Sequence, residues 1–426
     1  MKPEFDVIIV GGGPVGLSAG IQFARKNIRT LIIEKKSFPL DKACGEGIMP
    51  TGKKILENLG IIQKLDAQHC YPFKGICYFS AAGTSAQANF VEGEGIGVRR
   101  VELSRVLAAA AQNTPNLELL SPAKVTAMEN SGSQAFVHVN HKKISTSLIV
   151  AADGLRSSIR SFANLAGGSS QLKRFGASVH YCIKPWNHYV EVHYQPGIEA
   201  YVTPCGDEQV GITFLWNQTF YTPPLAGKNL ADGFLKQFPL LQERLQSAKA
   251  ISKIQAIGPL HHRVLSPVSN QVALIGDAAG YLDPITGEGI SLGLLSASLL
   301  IQTTAPFFLL QQKNSNGILF SQKILQPFAQ LLKKKTRNYY MTTHFALMLA
   351  HYPELAEKVL IDFRRDPDFF AHLLSVNMGT AALLGKYPQK MLQYAFWLIK
   401  LAAKNKFLRK PASKKYPAPV PSKTRN

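Results

Sequence analysis

A chain that opens Phe5-Asp-Val-Ile-Ile-Val10 and passes at once into Gly11-Gly-Gly-Pro-Val-Gly16 is restricted to a short menu of folds. Phe5 to Val10 has the length and β-branched content of a buried parallel strand. Gly11, Gly13 and Gly16 follow it at the spacing G-x-G-x-x-G. The first permits a tight turn, the second lets backbone approach a pyrophosphate, and the third lets the next helix lie close to its strand. The amides and dipole at that helix N-terminus then face phosphate. A second apolar strand, Thr30-Leu-Ile-Ile, ends on Glu34, a carboxylate placed to accept hydrogen bonds from a ribose. Together these features specify a dinucleotide-binding βαβ unit, with NAD and FAD both open as its ligand. Gly93-Glu-Gly-Ile-Gly97 shows that glycines also cluster by chance, so the fingerprint counts only together with its strand, helix and Glu34.

Further along, the pattern changes character. A Gly- and Pro-rich loop, Lys35 to Gly52, leads into a helix-like Lys53 to Leu59, and loops of this kind at the end of a sheet strand are where function concentrates. Phe73 to Phe79 and Ala86 to Val91 alternate like a hairpin, and Val101 to Gln112 reads as a helix led by Arg99 and Arg100. From Ala177 to Trp216, four short strand-like runs follow one another, which predicts an antiparallel sheet. Val272-Ala-Leu-Ile then returns to a buried-strand pattern. The expected fold is therefore α/β, with a discontinuous nucleotide domain (1–72, 92–175 and 258–300). Inserted into it is a mixed or antiparallel substrate sheet (73–91 and 176–257), followed by a helical region (301–410) and a disordered basic tail (411–426).

The net charge is +21, and from Ile301 onward 20 Lys or Arg face 5 Asp or Glu, so the basicity is concentrated in the last third. No recognisable nucleic-acid module accompanies it, and the expectation is no specific nucleic-acid partner. Gln389 to Lys410 has an apolar centre interrupted by Lys400, too short to span a bilayer. With Phe396, Trp397 and flanking lysines it reads either as an interfacial helix on an anionic membrane or as a packed helix with a solvated rim. Five cysteines without a C-x-x-C pair argue against disulfides or zinc, and the opening strand leaves no room for a leader before it. The expected location is cytoplasmic, with peripheral contact at the inner membrane face.

Two later motifs bear on the ligand. Leu148-Ile-Val-Ala-Ala-Asp-Gly154 is a strand ending in Asp-Gly, and Val272-Ala-Leu-Ile-Gly-Asp277 runs into Ala-Ala-Gly-Tyr-Leu-Asp-Pro-Ile-Thr-Gly-Glu-Gly-Ile290. With the opening fingerprint they form an ordered set of three, and over roughly residues 5 to 300 the chain resembles the FAD-dependent monooxygenases of the p-hydroxybenzoate hydroxylase type. That superfamily also holds geranylgeranyl reductases and flavin-dependent halogenases. The resemblance implies FAD, with NAD(P)H as a transient co-substrate. It implies that Gly11, Gly13 and Gly16 hold the pyrophosphate, that Glu34 holds the ribose, and that Pro14, Lys35 and Val125 lie around the same end. Arg100 matches the arginine leading the helix beside the flavin, and Asp277 matches the acid that bonds the ribityl chain. Gly287, Gly289 and Ile290 are expected to aim amides at the isoalloxazine, where an anionic reduced flavin needs donors. Asp153 is either a ligand or simply a turn residue.

Cys44-Gly-Glu-Gly-Ile-Met-Pro50 resembles a loop of the reductases and of some hydroxylases. Cys44 is read as a reactive thiol or a buried one, and Glu46 as a general acid or base or a solvated side chain. His261 and His262 are weaker candidates for bases. The reductases' Tyr-x-Trp-x-Phe-Pro is matched only by Glu199-Ala-Tyr-Val-Thr-Pro204, and the halogenases' Lys-x-x-x-Trp-x-Trp is missing. The leading expectation is hydroxylation of a small lipophilic aromatic or phenolic substrate through a flavin C4a-hydroperoxide, with no metal. Reduction of prenyl double bonds, or a membrane-bound flavoprotein without turnover, are the alternatives.

Overall fold

The computed structural model describes residues 3–132, 134–169, 173–223, 230–314, 319–394, 396 and 397. The expected tail 411–426, and all but the first residues of the expected interfacial helix, lie outside the described residues. Ten helices are named in chain order. They are α1 Pro14–Ala24, α2 Pro50–Asn58, α3 Arg100–Gln112, α4 Ser158–Phe162, α5 Leu230–Leu235, α6 Pro239–Leu245, α7 Gly289–Asn314, α8 Gln322–His351, α9 Pro353–Arg365 and α10 Pro367–Asn377.

The nucleotide domain is built on a sheet in which Phe5–Val10 is central, paired in parallel with Lys142–Ala151 on one side and Thr30–Ile33 on the other. Val272–Leu274 and Leu117–Leu120 extend it in parallel at the two flanks, giving the doubly wound order the opening motif predicts. Val7 and Ile9 pack with α1, α3, α7 and α8 on one face, while Ile8 and Val10 pack with Val125, Val137 and Ile149 on the other. Both faces are covered, which is why the strand is apolar without alternation.

The second large sheet runs Arg174–Cys182, Gln209–Asn217, Ile198–Gly206, Tyr189–Gln195, Gly75–Phe79, Ser85–Asn89. It is mixed, because Tyr189–Gln195 pairs in parallel with Gly75–Phe79 while its other long pairings are antiparallel. One face packs against α5 and α6 through Phe214, Phe234 and Phe238. A small sheet of Gly47–Ile48, Gly95–Val98 and Cys70–Phe73 ties the Cys44 loop to the body. Gly95 and Gly97 of the Gly93–Gly97 cluster thus belong to a strand, where a Cβ on Gly97 would lie 1.8 Å from the Pro204 carbonyl oxygen.

The helix α7 runs unbroken from Gly289 to Asn314, so the domain boundary expected at residue 301 falls inside it. Gly289–Leu310 is the one helix among the described residues long and apolar enough to cross a membrane, and it packs against α1 and α8 with half its length buried. Residues through Ala381 form one compact unit. The remainder forms a second, helical over 388–394 in its described part.

Candidate active site

The glycine turn has the form the sequence predicts. Gly11 adopts φ +109°, and a Cβ there would lie 2.4 Å from the Ala152 carbonyl oxygen. A Cβ on Gly16 would meet the Gly11 carbonyl oxygen at 1.9 Å, so α1 can approach its strand only with glycine at that position. At Gly13, the N-cap of α1, the nearest atom to such a Cβ is Arg100 Nη2 at 3.6 Å, which leaves open space in front of the helix amides. Pro14 occupies the first helical position, where its missing N–H costs nothing.

Glu34 follows its strand directly and is buried. Its Oε2 accepts the Gly12 N–H at 2.8 Å and its Oε1 the Lys36 N–H at 3.0 Å. Lys35 is exposed beside it, and Val125 begins the strand that follows Ala123, whose N–H donates to the Glu34 carbonyl at 2.7 Å. Asp153 is partly structural: Oδ2 accepts from Ser158 N and Oγ and from Ile159 N, capping α4. Its Oδ1 and the Nε of Arg100 are buried without partners among the described residues. Two orphaned polar atoms flanking an open glycine cradle are what a bound dinucleotide would satisfy, and the donor set fits FAD.

The far end of the site is the loop from Gly276 to Gly289. Asp277 is partly exposed and lies 4.0 Å from Lys42 Nζ, and its side chain caps no helix among the described residues. Gly287 takes φ +70°, and α7 starts at Gly289 and Ile290 with its first amides facing the loop. Three buried contacts fix this loop. Arg174 bridges Asp283 and Glu199 with Nε–Oδ2 and Nη2–Oε2 distances of 2.9 Å. Tyr201 donates its hydroxyl to the Ile285 carbonyl at 2.8 Å, and Tyr339 of α8 donates to the Asp283 carbonyl at 3.0 Å. Burial pushes both phenols well above their ordinary pKa, so they act as donors.

The Cys44 loop meets the same helix start, since Met49 N–H donates to Ser291 Oγ at 3.1 Å. Cys44 is half-buried, and desolvation raises its pKa, which keeps the sulfur a thiol. Glu46 is neither solvated nor free. It is 3% exposed at φ +59°, with Oε1 accepting the Arg100 N–H at 2.6 Å and Oε2 facing His180 Nε2 at 2.7 Å. Cys205 brings a third potential ligand atom within 4.8 Å of this pair. The carboxylate is already engaged, however, and Arg99 Nε stands 3.7 Å away, a setting for an anion's partners rather than for a cation. His261 and His262 lie under the flavin loop. His261 Nδ1 meets the Leu282 carbonyl at 3.3 Å, and burial lowers both pKa values.

Sequence reasoning passed over the pocket beside this loop, a partly open cleft. Its walls are the substrate sheet (Tyr78, Val192, Tyr201), the loop itself (Thr286 to Glu288) and the helices α8 to α10. Tyr78 stacks on Phe370 of α10 with centroids 5.4 Å apart. The lining is apolar except at one end, where Glu288, Thr286, Thr342 and Asn377 gather. Glu288 is 2% exposed and accepts from Asn377 Nδ2 at 3.2 Å. With a single hydrogen bond and no cation beside it among the described residues, its carboxyl is pushed by burial up to about 8.

Residues 4–307 match the family described as FAD binding domain. Among curated proteins, the chain is 27% identical over 311 residues to the digeranylgeranylglycerophospholipid reductase of Methanosarcina mazei, covering 68% of this chain and 72% of the relative. It is 27% identical over 318 residues to the menaquinone reductase of Mycobacterium tuberculosis, covering 69% and 76%. Among solved structures, the flavin-dependent brominase Bmp2 superposes with a TM-score of 0.78 at 16% identity, covering 94% of this chain and 99% of that one, a likeness of fold.

Proposed function

Because the chain belongs to the FAD binding domain family, and is an FAD-dependent oxidoreductase, we propose that it is an NAD(P)H-dependent monooxygenase that hydroxylates a lipophilic phenol. The observation that carries this reading is the makeup of the pocket, apolar and aromatic over most of its lining, with a small polar group of Thr286, Glu288, Thr342 and Asn377. A substrate complementary to it has a hydrophobic body and a single polar group, and lies with that group against Gly287 and Glu288. Bound FAD would supply electrons from NAD(P)H and activate dioxygen. The chain's own residues do the remaining work. Gly13 and the α1 amides would hold the pyrophosphate, Arg100 and Asp277 would lie beside the cofactor, and the amides at the start of α7 would serve its ring, while the aromatic walls would orient the substrate and exclude water.

A second reading has its own support in the reductase names of the curated relatives: addition of hydrogen across a polyprenyl double bond in the same pocket. One experiment separates the two. Purified flavin-loaded protein is incubated with NADPH under labelled dioxygen, with 4-nonylphenol and with geranylgeraniol. Product from the phenol carrying one labelled oxygen supports hydroxylation. A prenol heavier by two hydrogens, without label, replaces that reading with reduction.

On either reading the substrate dissolves in lipid, and the exposed run Lys333, Lys334, Lys335 and Arg337 on α8 suits an anionic membrane surface. Co-sedimentation with vesicles containing phosphatidylserine, lost in high salt, is the expected result.

A further inference from the structure

Glu288 stands at the closed end of the pocket, immediately before α7, and its carbonyl accepts the first helical hydrogen bond from Leu292 N–H at 2.9 Å. Its side chain makes no bond to the amides of that helix among the described residues. One oxygen, Oε1, takes the Asn377 Nδ2 donor of α10, and Oε2 has no hydrogen-bond partner among the described residues. Asn377 is itself oriented by Thr342 of α8, whose hydroxyl donates to Asn377 Oδ1 at 2.5 Å. No Lys, Arg or His lines the pocket, and Glu288 is its one carboxylic acid among the described residues. An acid buried in an apolar wall without a cation is expensive to keep, and a merely structural role would be filled as well by glutamine.

Resting on the hydroxylase reading, we propose that Glu288 is the acid–base catalytic residue of the pocket, exchanging a proton with the phenolic hydroxyl of the substrate, and that Asn377 is its positioning residue. The overall reaction consumes dioxygen and NAD(P)H: one oxygen atom forms the new carbon–oxygen bond and the other leaves as water. In its ionised form Glu288 accepts the phenolic proton as electron density moves to the ring carbon under attack. The hydrogen that this carbon loses leaves as a proton for the second oxygen atom, which departs as water, and Glu288 returns its own proton to the substrate oxygen, so it ends ionised as it began. The surrounding ionisable groups leave this exchange to Glu288. Tyr78 and Tyr201 of the sheet and Tyr339 of α8 are phenols with pKa values raised by burial, and Asp283 on the same loop is bound by Arg174.

The test uses flavin-loaded protein, the Glu288→Gln and Asn377→Ala variants, and 4-nonylphenol as the probe. Without NADPH, binding is followed by the perturbation of the flavin absorbance between pH 6.5 and 9. The wild-type Kd is expected to change by about threefold or more across that range, with an inflection that E288Q lacks and that N377A moves to higher pH. Curves of the same shape for wild type and E288Q overturn the inference, and an unmoved inflection in N377A removes Asn377 from it. With NADPH and labelled dioxygen, E288Q is expected to form oxygenated product about 100-fold more slowly or worse, while its flavin content and rate of flavin reduction stay within about twofold of wild type. Turnover by E288Q at the wild-type rate overturns the inference and leaves the hydroxylase reading standing. A wild type that forms no oxygenated product overturns that reading, and the binding curves then decide the role of Glu288 by themselves.

Discussion

The Glu46 carboxylate accepts the backbone N–H of Arg100 at 2.6 Å, joining the Cys44 loop to the first residue of α3. That helix start carries the guanidinium that faces the glycine turn, and the loop carries Met49 to the pocket. One carboxylate therefore couples the glycine turn to the pocket.

Truncating it should disturb both. Glu46→Ala leaves His180 and Arg99 facing an unanswered position and should destabilise the protein by about 3 kcal/mol, whereas Glu46→Gln keeps an acceptor for the Arg100 amide and should cost about 1 kcal/mol. Chemical unfolding ranks the two. FAD retention on gel filtration should fall in the same order, and equal retention would show that the loop and the cradle are independent.

The glycines of the turn separate folding from ligand binding. Gly16→Ala places a Cβ 1.9 Å from a backbone oxygen that cannot swing aside, so it should lower thermal stability with or without added FAD, by about 1–3 kcal/mol. Gly13→Ala meets nothing closer than 3.6 Å. Its flavin-free melting temperature should match wild type, while the stabilisation gained on adding FAD should largely vanish. The reverse pattern would place the pyrophosphate elsewhere.

These positions were legible because each follows from a local backbone rule. A tight turn needs Gly11, close helix packing needs Gly16, and Pro14 and Gly289 mark helix starts, so α1, α7 and the parallel sheet could be placed from neighbours a few residues away. The substrate end could not be read in this way. Glu288 sits inside a quoted motif whose glycines drew the attention, and its partner Asn377 is 89 residues off. Tyr201 reaches Ile285 across 84 residues, and Glu46 reaches His180 across 134. Periodicity carries no information about such pairings. The available signal for Glu288 was modest: an acid just before an apolar helix with no basic residue nearby in sequence.

Arg174 holds two buried carboxylates, Glu199 from the sheet and Asp283 from the flavin loop. Arg174→Met would leave them facing each other and should destabilise by about 3–5 kcal/mol at neutral pH. Burial already raises the Glu199 pKa with the arginine present, and without it that carboxyl would be pushed up further. The native state would then hold protons that the unfolded chain has released, so the deficit should shrink as pH falls. Urea unfolding of the variant at pH 5 and pH 8 checks this, with a smaller gap from wild type expected at pH 5. Equal gaps would mean the cluster is held by packing alone.

Glu288 imposes its own pH dependence on stability. Its pKa rises from an ordinary 4.5 to about 8 on folding, because burial penalises the charged form. Below the unfolded value both states are protonated and the residue contributes no slope. Between the two values the native state keeps a proton that the unfolded chain loses, so unfolding free energy falls by about 1.4 kcal/mol per pH unit from this group. The loss accumulates to a figure on the order of 5 kcal/mol and levels off once the native carboxyl ionises. Glutamine has no such titration. Glu288→Gln should therefore unfold much like wild type near pH 4.5 and be markedly more stable than wild type at pH 8, by denaturant titration of flavin-free protein. Parallel stability curves for the two proteins across that range would show that Glu288 is ionised in the folded state and that its pocket is wetter than its 2% exposure implies.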